Sequence, residues 1–220
     1  MFNGFTENTG NFMWELMFNN ERPWFIAHKQ EFEEYVNTPF KALAEDTFYL
    51  LNKAFPDMTF YIHVSRIYRD ARRLHGRGPY KERLWFSIKT EPSDYDGPVF
   101  WFELGAADYA FGMGYWGTPS SMELFRSTVD ANPAAFERLA EGIAKHPELK
   151  VGGEEYKRPK GSYEPPVSLW YNLKHPGIVC RRDFGGDLFS PDLPRLLCEE
   201  YSKMMPMFSF LLGIYNRSKG

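Results

Sequence analysis

The densest group of positive charge in this sequence lies between residues 66 and 81. Six cations stand there beside glycine, proline and aromatic residues, and four of them are the candidate ligand contacts: Arg66, Arg69, Arg72 and Lys81. Guanidinium groups bind phosphate and carboxylate groups through paired hydrogen bonds. Two cations about 7 Å apart repel by roughly 2 kcal/mol at an effective dielectric constant of about 20, so convergent cations need a negative partner. The pattern therefore predicts a binding site for a small anionic ligand.

The negative charge that neutralises these cations could come from either of two sources. An external phosphate or carboxylate would make the segment a ligand site, and Arg66 favours this because it follows an apolar strand pattern, where escape to solvent is harder. Alternatively, the cations pair with the chain's own acids, among them Asp70, Glu103 and Asp108, or extend into water as many surface arginines do. The ligand site is the leading hypothesis.

Further cations lie later in the chain and are candidate contacts to the same anion. Arg126 belongs to a predicted helix, and a glycine-rich loop carries Lys157, Arg158 and Lys160. They would form a second wall of the anion site. For each of them alone, a solvated loop or helix face is the simpler interpretation.

Two other classes of function remain open as alternatives. An enzyme acting on the same anion would need a general acid or base, and the weak candidates are Tyr80, Asp70 and His75, which lie near the cations in sequence. A nucleic-acid or protein interaction module would use the cations on a surface, but the net charge of -3 counts against a non-specific nucleic-acid binder. The residues alone do not decide whether the protein is an enzyme.

Metal and cofactor signatures are missing from the sequence. The five histidines show no paired spacing with each other or with cysteine, so we predict no structural zinc and no cofactor. The stretch from Gly112 to Gly117 matches the dinucleotide pattern G-x-G-x-x-G, but we reject that interpretation because it follows an antiparallel run of strands. Instead, Gly112 and Gly114 leave one strand face bare, which predicts a closely packed helix or, as the alternative, the floor of a pocket.

The tryptophans and other aromatic residues spread along the chain could have either of two roles. A stacking platform for a sugar or a base is one, with candidate rings at Trp14, Trp24, Phe25, Trp85, Trp101 and Trp116. Core packing is the favoured one, because rings at core-like spacing are more often buried than used for binding.

The elements that must position these residues follow from hydrophobic periodicity. Helical spacing predicts helices over residues 6–19, 24–37, 39–55, 118–129, 132–143, 169–173 and 190–208. Alternation predicts strands over residues 60–65, 84–88, 99–104, 109–115 and 178–182, with short turns that imply antiparallel neighbours. Strands grouped between helices predict an α+β fold, a single domain with a mainly antiparallel sheet of four or five strands, covered by helices from both ends of the chain.

Size and composition agree with an ordinary soluble protein. At 220 residues with 43% hydrophobic and 25% charged residues, the chain can bury one core without disulfides. Cys180 and Cys198 stand in no metal or redox spacing, which indicates reduced thiols and a cytoplasmic location. We expect no signal peptide and no membrane span, since the most apolar run, from Met204 to Tyr215, is shorter than the roughly 20 residues that a bilayer requires.

Several of these segments together resemble one family, known as domain of unknown function 2461. The resemblance rests on short motifs in the same order along nearly the whole chain: Asn19 to Phe25, Arg66 to Arg72, Pro79 to Lys81, Gly112 to Gly114 with Pro119, Leu124 and Arg126, Lys157 to Gly161, and Pro206 to Leu211. It implies a shared fold and transfers no activity, cofactor or ligand.

The chain departs from the family pattern between Arg72 and Pro79. The family pattern has a Phe-Ser start and an Asp-Lys pair there, whereas this sequence reads Arg73-Leu74-His75-Gly76-Arg77-Gly78. A family mechanism that used the missing carboxylate would not operate in this chain.

Overall fold

The protein has an α+β fold built around an antiparallel sheet, which confirms the fold class predicted from the sequence. The structure is a computed structural model that describes residues 1–70, 72, 74, 76–91 and 96–219. His75 and Arg73 lie outside the described residues. The candidate role of His75 in proton transfer therefore stays a prediction.

The helices and strands follow the periodic segments of the sequence closely. The helices are α1 (Glu7–Phe18), α2 (Arg22–Ala27), α3 (Lys29–Glu31), α4 (Thr38–Ala54), α5 (Pro119–Ala131), α6 (Pro133–Ala144), α7 (Ser168–Tyr171) and α8 (Leu193–Ser218), with a π-helical segment over Phe32–Asn37 and a 3-10 helix over Gly186–Phe189. The strands are β1 (Tyr61–Val64), β2 (Leu84–Lys89), β3 (Gly97–Leu104), β4 (Asp108–Trp116), β5 (Lys150–Gly152) and β6 (Gly177–Asp183).

The sheet has six strands in the order β1-β2-β3-β4-β6-β5, so the predicted count of four or five strands is wrong. The missed strand is β5, whose residues Lys150 and Gly152 pair antiparallel with Val179 and Gly177 of β6. Three residues are too few to show alternation, because one period of a strand already takes two. The strand exists because β6 offers it a partner.

Contacts divide the chain into two compact units. Unit 1 comprises Met1–Ile88, Phe102–Ala110 and Arg181–Cys198, and unit 2 comprises Lys89–Trp101, Phe111–Cys180 and Glu199–Gly220. The expectation of a single domain stays a prediction.

The core of unit 1 is built from rings that the N-terminal helices press against the sheet. Phe40 of α4 lies 5.8 Å from Phe86 of β2 and 6.1 Å from Phe102 of β3, measured between ring centroids. Phe86 and Phe102 stack on each other at 5.3 Å. Burying each such ring contributes about 2 to 3 kcal/mol, so this cluster fixes the strands that carry the basic segment at their ends.

In unit 2 the C-terminal helix covers the sheet in the same way. Phe100 of β3 stacks on Tyr201 at 4.8 Å and on Phe208 at 4.4 Å, both on α8. The Tyr201 hydroxyl donates a hydrogen bond of 2.9 Å to the carbonyl of Trp101, which anchors the helix to the edge of the same strand. Helices from both chain ends therefore cover sheet residues, one end in each unit, as the sequence predicted.

No helix within the described residues is both long enough and apolar enough to cross a membrane.

Candidate functional site

In unit 1 the side chain of Asn20 connects two of the family-like motifs, the one from Asn19 to Phe25 and the one from Pro79 to Lys81. Its amide nitrogen donates to the Tyr80 carbonyl at 3.0 Å, and its amide oxygen accepts from the Tyr80 N–H at 2.9 Å. Gly78 stands directly beside this amide, where a Cβ atom would overlap the Asn20 side chain. The loop after the basic segment is therefore held by the residue that follows α1.

Tyr80 lies at the centre of an aromatic cluster. Its ring stacks on Phe25 at 4.1 Å and lies 5.5 Å from Tyr68, while the backbones of Tyr68 and Tyr80 form an antiparallel bridge. Only 2% of Tyr80 is exposed, and burial followed by the neighbouring Tyr68 raises the pKa of its hydroxyl, against a smaller opposite effect of Arg22. A hydroxyl with a raised pKa stays protonated at neutral pH, so the structure assigns Tyr80 to packing more readily than to proton transfer.

Arg69 is an internal strut of the basic segment. Its Nε donates to the Tyr80 carbonyl at 2.7 Å, and one terminal nitrogen binds a Glu82 oxygen at 3.0 Å. The side chain is 14% exposed. Since these contacts occupy two sides of the guanidinium, Arg69 holds the loop against β2 and has little capacity left for a ligand.

Arg72 and Asp70 neutralise each other locally. Both Nε and a terminal nitrogen of Arg72 bind the Asp70 carboxylate, at 3.1 and 2.8 Å, and the Arg72 backbone N–H donates to the same group. The Arg72 side chain is 88% exposed, so water screens the pair and its contribution to stability is small. Asp70 is thereby engaged in a turn, and its candidate role as a base stays a prediction.

Of the four candidate contacts, Arg66 and Lys81 are the two that no carboxylate neutralises within the described part of the chain. The Lys81 ammonium donates to the Arg66 carbonyl at 2.7 Å and lies 5.9 Å from the centre of the Trp85 ring. Burial lowers the pKa of Lys81, and the positive charges of Arg66 and Arg69 lower it further. Arg66, Arg69 and Lys81 therefore lie close enough for their positive charges to repel one another. The Arg66 side chain is exposed to solvent.

Two of the acids expected to neutralise the basic segment bind other arginines. Glu103 accepts from Arg83 Nε at 2.5 Å, and Asp108 accepts from Arg181 at 2.5 Å. A second Asp108 oxygen lies 2.6 Å from Arg83, close enough for an ion pair although too poorly aligned for a hydrogen bond. Internal pairing with Glu103 and Asp108 is therefore wrong for the described cations of the basic segment. Alternation along β3 and β4 placed these acids on strands but did not show which neighbour each would face.

In unit 2, Arg126 and Lys160 both contact the Tyr156 ring. The Arg126 guanidinium carbon lies 5.4 Å and the Lys160 ammonium 4.7 Å from the ring centre. One terminal nitrogen of Arg126 is buried and meets no hydrogen-bond acceptor in the described residues. Lys157 and Arg158 are exposed. The structure thus brings together two of the four later cations.

Asp130 organises a tyrosine pair beside Arg126 that the sequence did not point to. It accepts hydrogen bonds from the Tyr163 hydroxyl at 2.7 Å and the Tyr171 hydroxyl at 2.9 Å. Burial, then the Asp130 carboxylate and Tyr163, raise the pKa of Tyr171 to about 12, although Arg126 opposes the shift. Asp130 lies four residues after Arg126 on α5, a spacing that puts both on one helix face and is the only sequence signal for this cluster.

The glycine face of β4 is occupied in a way that differs from the favoured prediction of a packed helix. A Cβ atom at Gly112 would clash with the Ile178 carbonyl of β6 and would come within 3.2 Å of the Trp101 ring. Gly114 is flanked by Trp101, Trp116 and Val99. The bare face therefore admits a neighbouring strand and an indole ring.

Among the described residues, no three histidine, cysteine, aspartate or glutamate side chains gather closely enough to hold a metal ion. The polar clusters of the described residues instead join arginine or lysine to carboxylates, or a carboxylate to tyrosines. What the arrangement offers chemically is charge and hydrogen-bond donors.

Comparison with known protein families gives a match over most of the chain. The sequence model of a family described as "Conserved hypothetical protein (DUF2461)" matches residues 8–210. No curated protein matches the sequence at a significant level. The matched range includes the segments that meet around Tyr80 and the helix that carries Arg126.

Proposed function

This chain belongs to the DUF2461 family, and we propose that it binds a small phosphate- or carboxylate-bearing anion through Arg66 and Lys81. One observation carries the proposal: these two cations lie together at the end of β1, and no carboxylate neutralises either of them among the described residues. Arg69 positions the loop, and Arg72 at its exposed rim adds a weaker long-range attraction.

Electrostatics explain why an anion fits there. Lys81 is partly buried and lies near Arg66 and Arg69, so its positive charge is destabilised by both desolvation and repulsion. An anion bound between Arg66 and Lys81 would relieve that repulsion of roughly 2 kcal/mol per pair. Arg66, being exposed, supplies a planar pair of donors that matches a carboxylate or phosphate edge.

The later cations form a second candidate group in unit 2. Arg126 has a buried nitrogen that lacks an acceptor among the described residues, and such a group is costly unless a ligand or water satisfies it. Lys160 lies against the same Tyr156 ring. We include Arg126, Lys157, Arg158 and Lys160 as proposed anion contacts on this basis.

The test measures the binding of phosphate and of citrate by thermal shift and by isothermal titration calorimetry. The Arg66→Ala, Lys81→Met double variant is expected to lose the shift, while the Arg138→Ala, Lys145→Met double variant removes two exposed charges outside the basic segment and should keep it. Equal anion shifts in both double variants, or none in the unaltered protein, would overturn the proposal.

The alternatives predict other outcomes in the same experiment. A nucleic-acid surface would bind oligonucleotides with an affinity that falls steeply as salt rises. An enzyme would need a titratable group beside the cations, and the burial of Tyr80 counts against the strongest candidate. The cytoplasmic location belongs to the proposal, and it is supported by the absence of metal or redox spacing between Cys180 and Cys198 in the sequence.

A further inference from the structure

We propose that unit 2 carries a carbohydrate-binding platform formed by Trp101, Trp116 and the glycine-lined surface between them. This site is independent of the proposed anion site, since it uses different residues and different chemistry. Its ligand would be an oligosaccharide with a flat pyranose face.

The platform begins with strand alternation. Along β3, Phe100 and Phe102 are buried in the core, and the intervening Trp101 points to the other face and is only half-buried. Along β4, Tyr115 is buried, while Trp116 on the opposite face is 54% exposed. Both indoles therefore lie on the face of the sheet opposite Phe100, Phe102 and Tyr115.

Gly114 brings the two indole nitrogens together. A Cβ atom built on Gly114 would lie 3.7 Å from Nε1 of Trp116 and 4.0 Å from Nε1 of Trp101. Both indole nitrogens thus lie within 4.0 Å of one point above the strand. The Val99 side chain borders the same point at 3.8 Å, and glycine leaves the point itself without a side chain. Any larger residue would fill the space between the donors.

These two donors are available to a ligand. Neither indole N–H has an acceptor in the described part of the chain, and neither is sealed from solvent, in contrast to the buried indole N–H of Trp170. The His175 ring lies 5.1 Å from the Trp116 ring at an angle of 40° and supports it from the protein side. An exposed ring held in place loses little conformational freedom when it binds.

The chemistry of this surface matches a sugar ring. The axial C–H groups of a pyranose form an apolar face that packs on an indole, and its ring and hydroxyl oxygens accept hydrogen bonds from N–H donors. Two convergent donors beside an aromatic ring are the kind of sparse polar pattern that orients a ligand on an apolar surface. A nucleobase also stacks on indole, but its edge presents hydrogen-bond donors as well as acceptors. The two indole N–H groups can only donate, so they would leave the donors of the base without an acceptor.

The test uses cellohexaose and maltohexaose with the full chain, measured by tryptophan fluorescence and calorimetry. At concentrations up to about 10 mM, one hexasaccharide is expected to bind saturably. Trp116→Ala should weaken binding by roughly tenfold to a hundredfold, as for loss of a stacking ring. Trp14→Ala, which removes another exposed indole from unit 1, should leave it unchanged.

A second pair of variants separates binding from folding. Gly114→Ala places a methyl group at ordinary contact distance from both indoles, so the protein should fold while the sugar is blocked. Gly142→Ala on α6, where a Cβ meets nothing within 4 Å, is the matched control. Failure of both hexasaccharides to bind, unaltered affinity in Trp116→Ala and Gly114→Ala, or binding of AMP in place of either hexasaccharide would each overturn the proposal.

Discussion

The side chain of Asn20 forms two hydrogen bonds with the backbone of Tyr80, at 3.0 and 2.9 Å, across 60 residues of sequence. An asparagine amide carries one donor and one acceptor side by side, so it can pair with a backbone N–H and C=O as a neighbouring strand would. This bridge joins the segment after α1 to the loop that precedes β2. It fixes the position of Lys81, the next residue in the chain.

We expect Asn20→Ala to lower the free energy of unfolding by about 2 to 3 kcal/mol, because it leaves two partly buried backbone groups with fewer partners. Asn19→Ala is the control, since the Asn19 amide bonds only to the exposed Glu15 carbonyl within its own helix end. Urea unfolding of both variants measures the difference. An equal loss in the two variants would contradict the bridge as a stabilising contact.

The two arginines Arg69 and Arg72 should behave differently although they lie three residues apart. Arg69→Ala removes bonds to the Tyr80 carbonyl and to Glu82 from a side chain that is 14% exposed, so we expect a loss of roughly 2 kcal/mol. Arg72→Ala removes an exposed pair that water screens, so it should change stability far less than Arg69→Ala does. Thermal unfolding of the two variants measures the difference. A larger loss of stability in Arg72→Ala than in Arg69→Ala would contradict the structural role of Arg69.

Anion binding should weaken at alkaline pH earlier than an ordinary lysine would allow. The pKa of Lys81 is lowered by burial and then by Arg66 and Arg69, so the ammonium deprotonates below its usual 10.5. Binding of phosphate or citrate needs the charged form and should therefore fall as pH rises through that lowered pKa. Calorimetry across the alkaline range measures this, and Lys81→Arg should remove the decline because arginine stays charged.

Tyr171 should make unit 2 sensitive to alkali. Its pKa rises to about 12 in the folded protein, above the ordinary 10.0 that we expect when unfolded. A raised folded pKa gives stability that is complete below pH 10 and is lost as pH rises toward 12. Thermal unfolding against pH should show this loss, and Tyr171→Phe should flatten that part of the curve. An unaltered slope in the variant would show that other groups cause it.

Asp108 should contribute to acid sensitivity in unit 1. Burial opposes its ionisation, but the hydrogen bond from Arg181 and the adjacent positive charge of Arg83 together outweigh burial and hold its pKa below the usual 3.8. A lowered folded pKa gives stability that is present above the ordinary value and is lost as pH falls through the folded one. Asp108→Asn should cost about 2 kcal/mol at neutral pH and reduce the loss below pH 4. A variant that keeps the full acid transition would contradict this role.

The sequence predicted the elements better than it predicted the partners of their side chains. Leu84, Phe86 and Ile88 alternate over a whole strand, so β2 was evident from its own residues. The three residues of β5 carry no such pattern, and β6 supplies the reason for that strand. Likewise, Glu103 could be placed on β3 by alternation, but its pairing with Arg83 depends on which strand lies beside it.

The same limit applies to the candidate sites. Clustered cations in the sequence identified the segment from Arg66 to Lys81. The contacts of Arg69 with Tyr80 and Glu82, which only the structure shows, distinguish an arginine that stabilises the loop from one that can bind a ligand. The Asp130 tyrosines and the indole pair above Gly114 gave almost no sequence signal, because their members lie on different elements.

By itself, the sequence determined the α+β class, five of the strands, the family and the location of the basic segment. These features depend on periodicity and composition, which are local properties of the chain. The tertiary structure decided the sixth strand, the pairing of each charge and the convergence of two indole N–H groups. These depend on distances between residues far apart in sequence, and such distances arise only when packing and backbone hydrogen bonds bring the elements together.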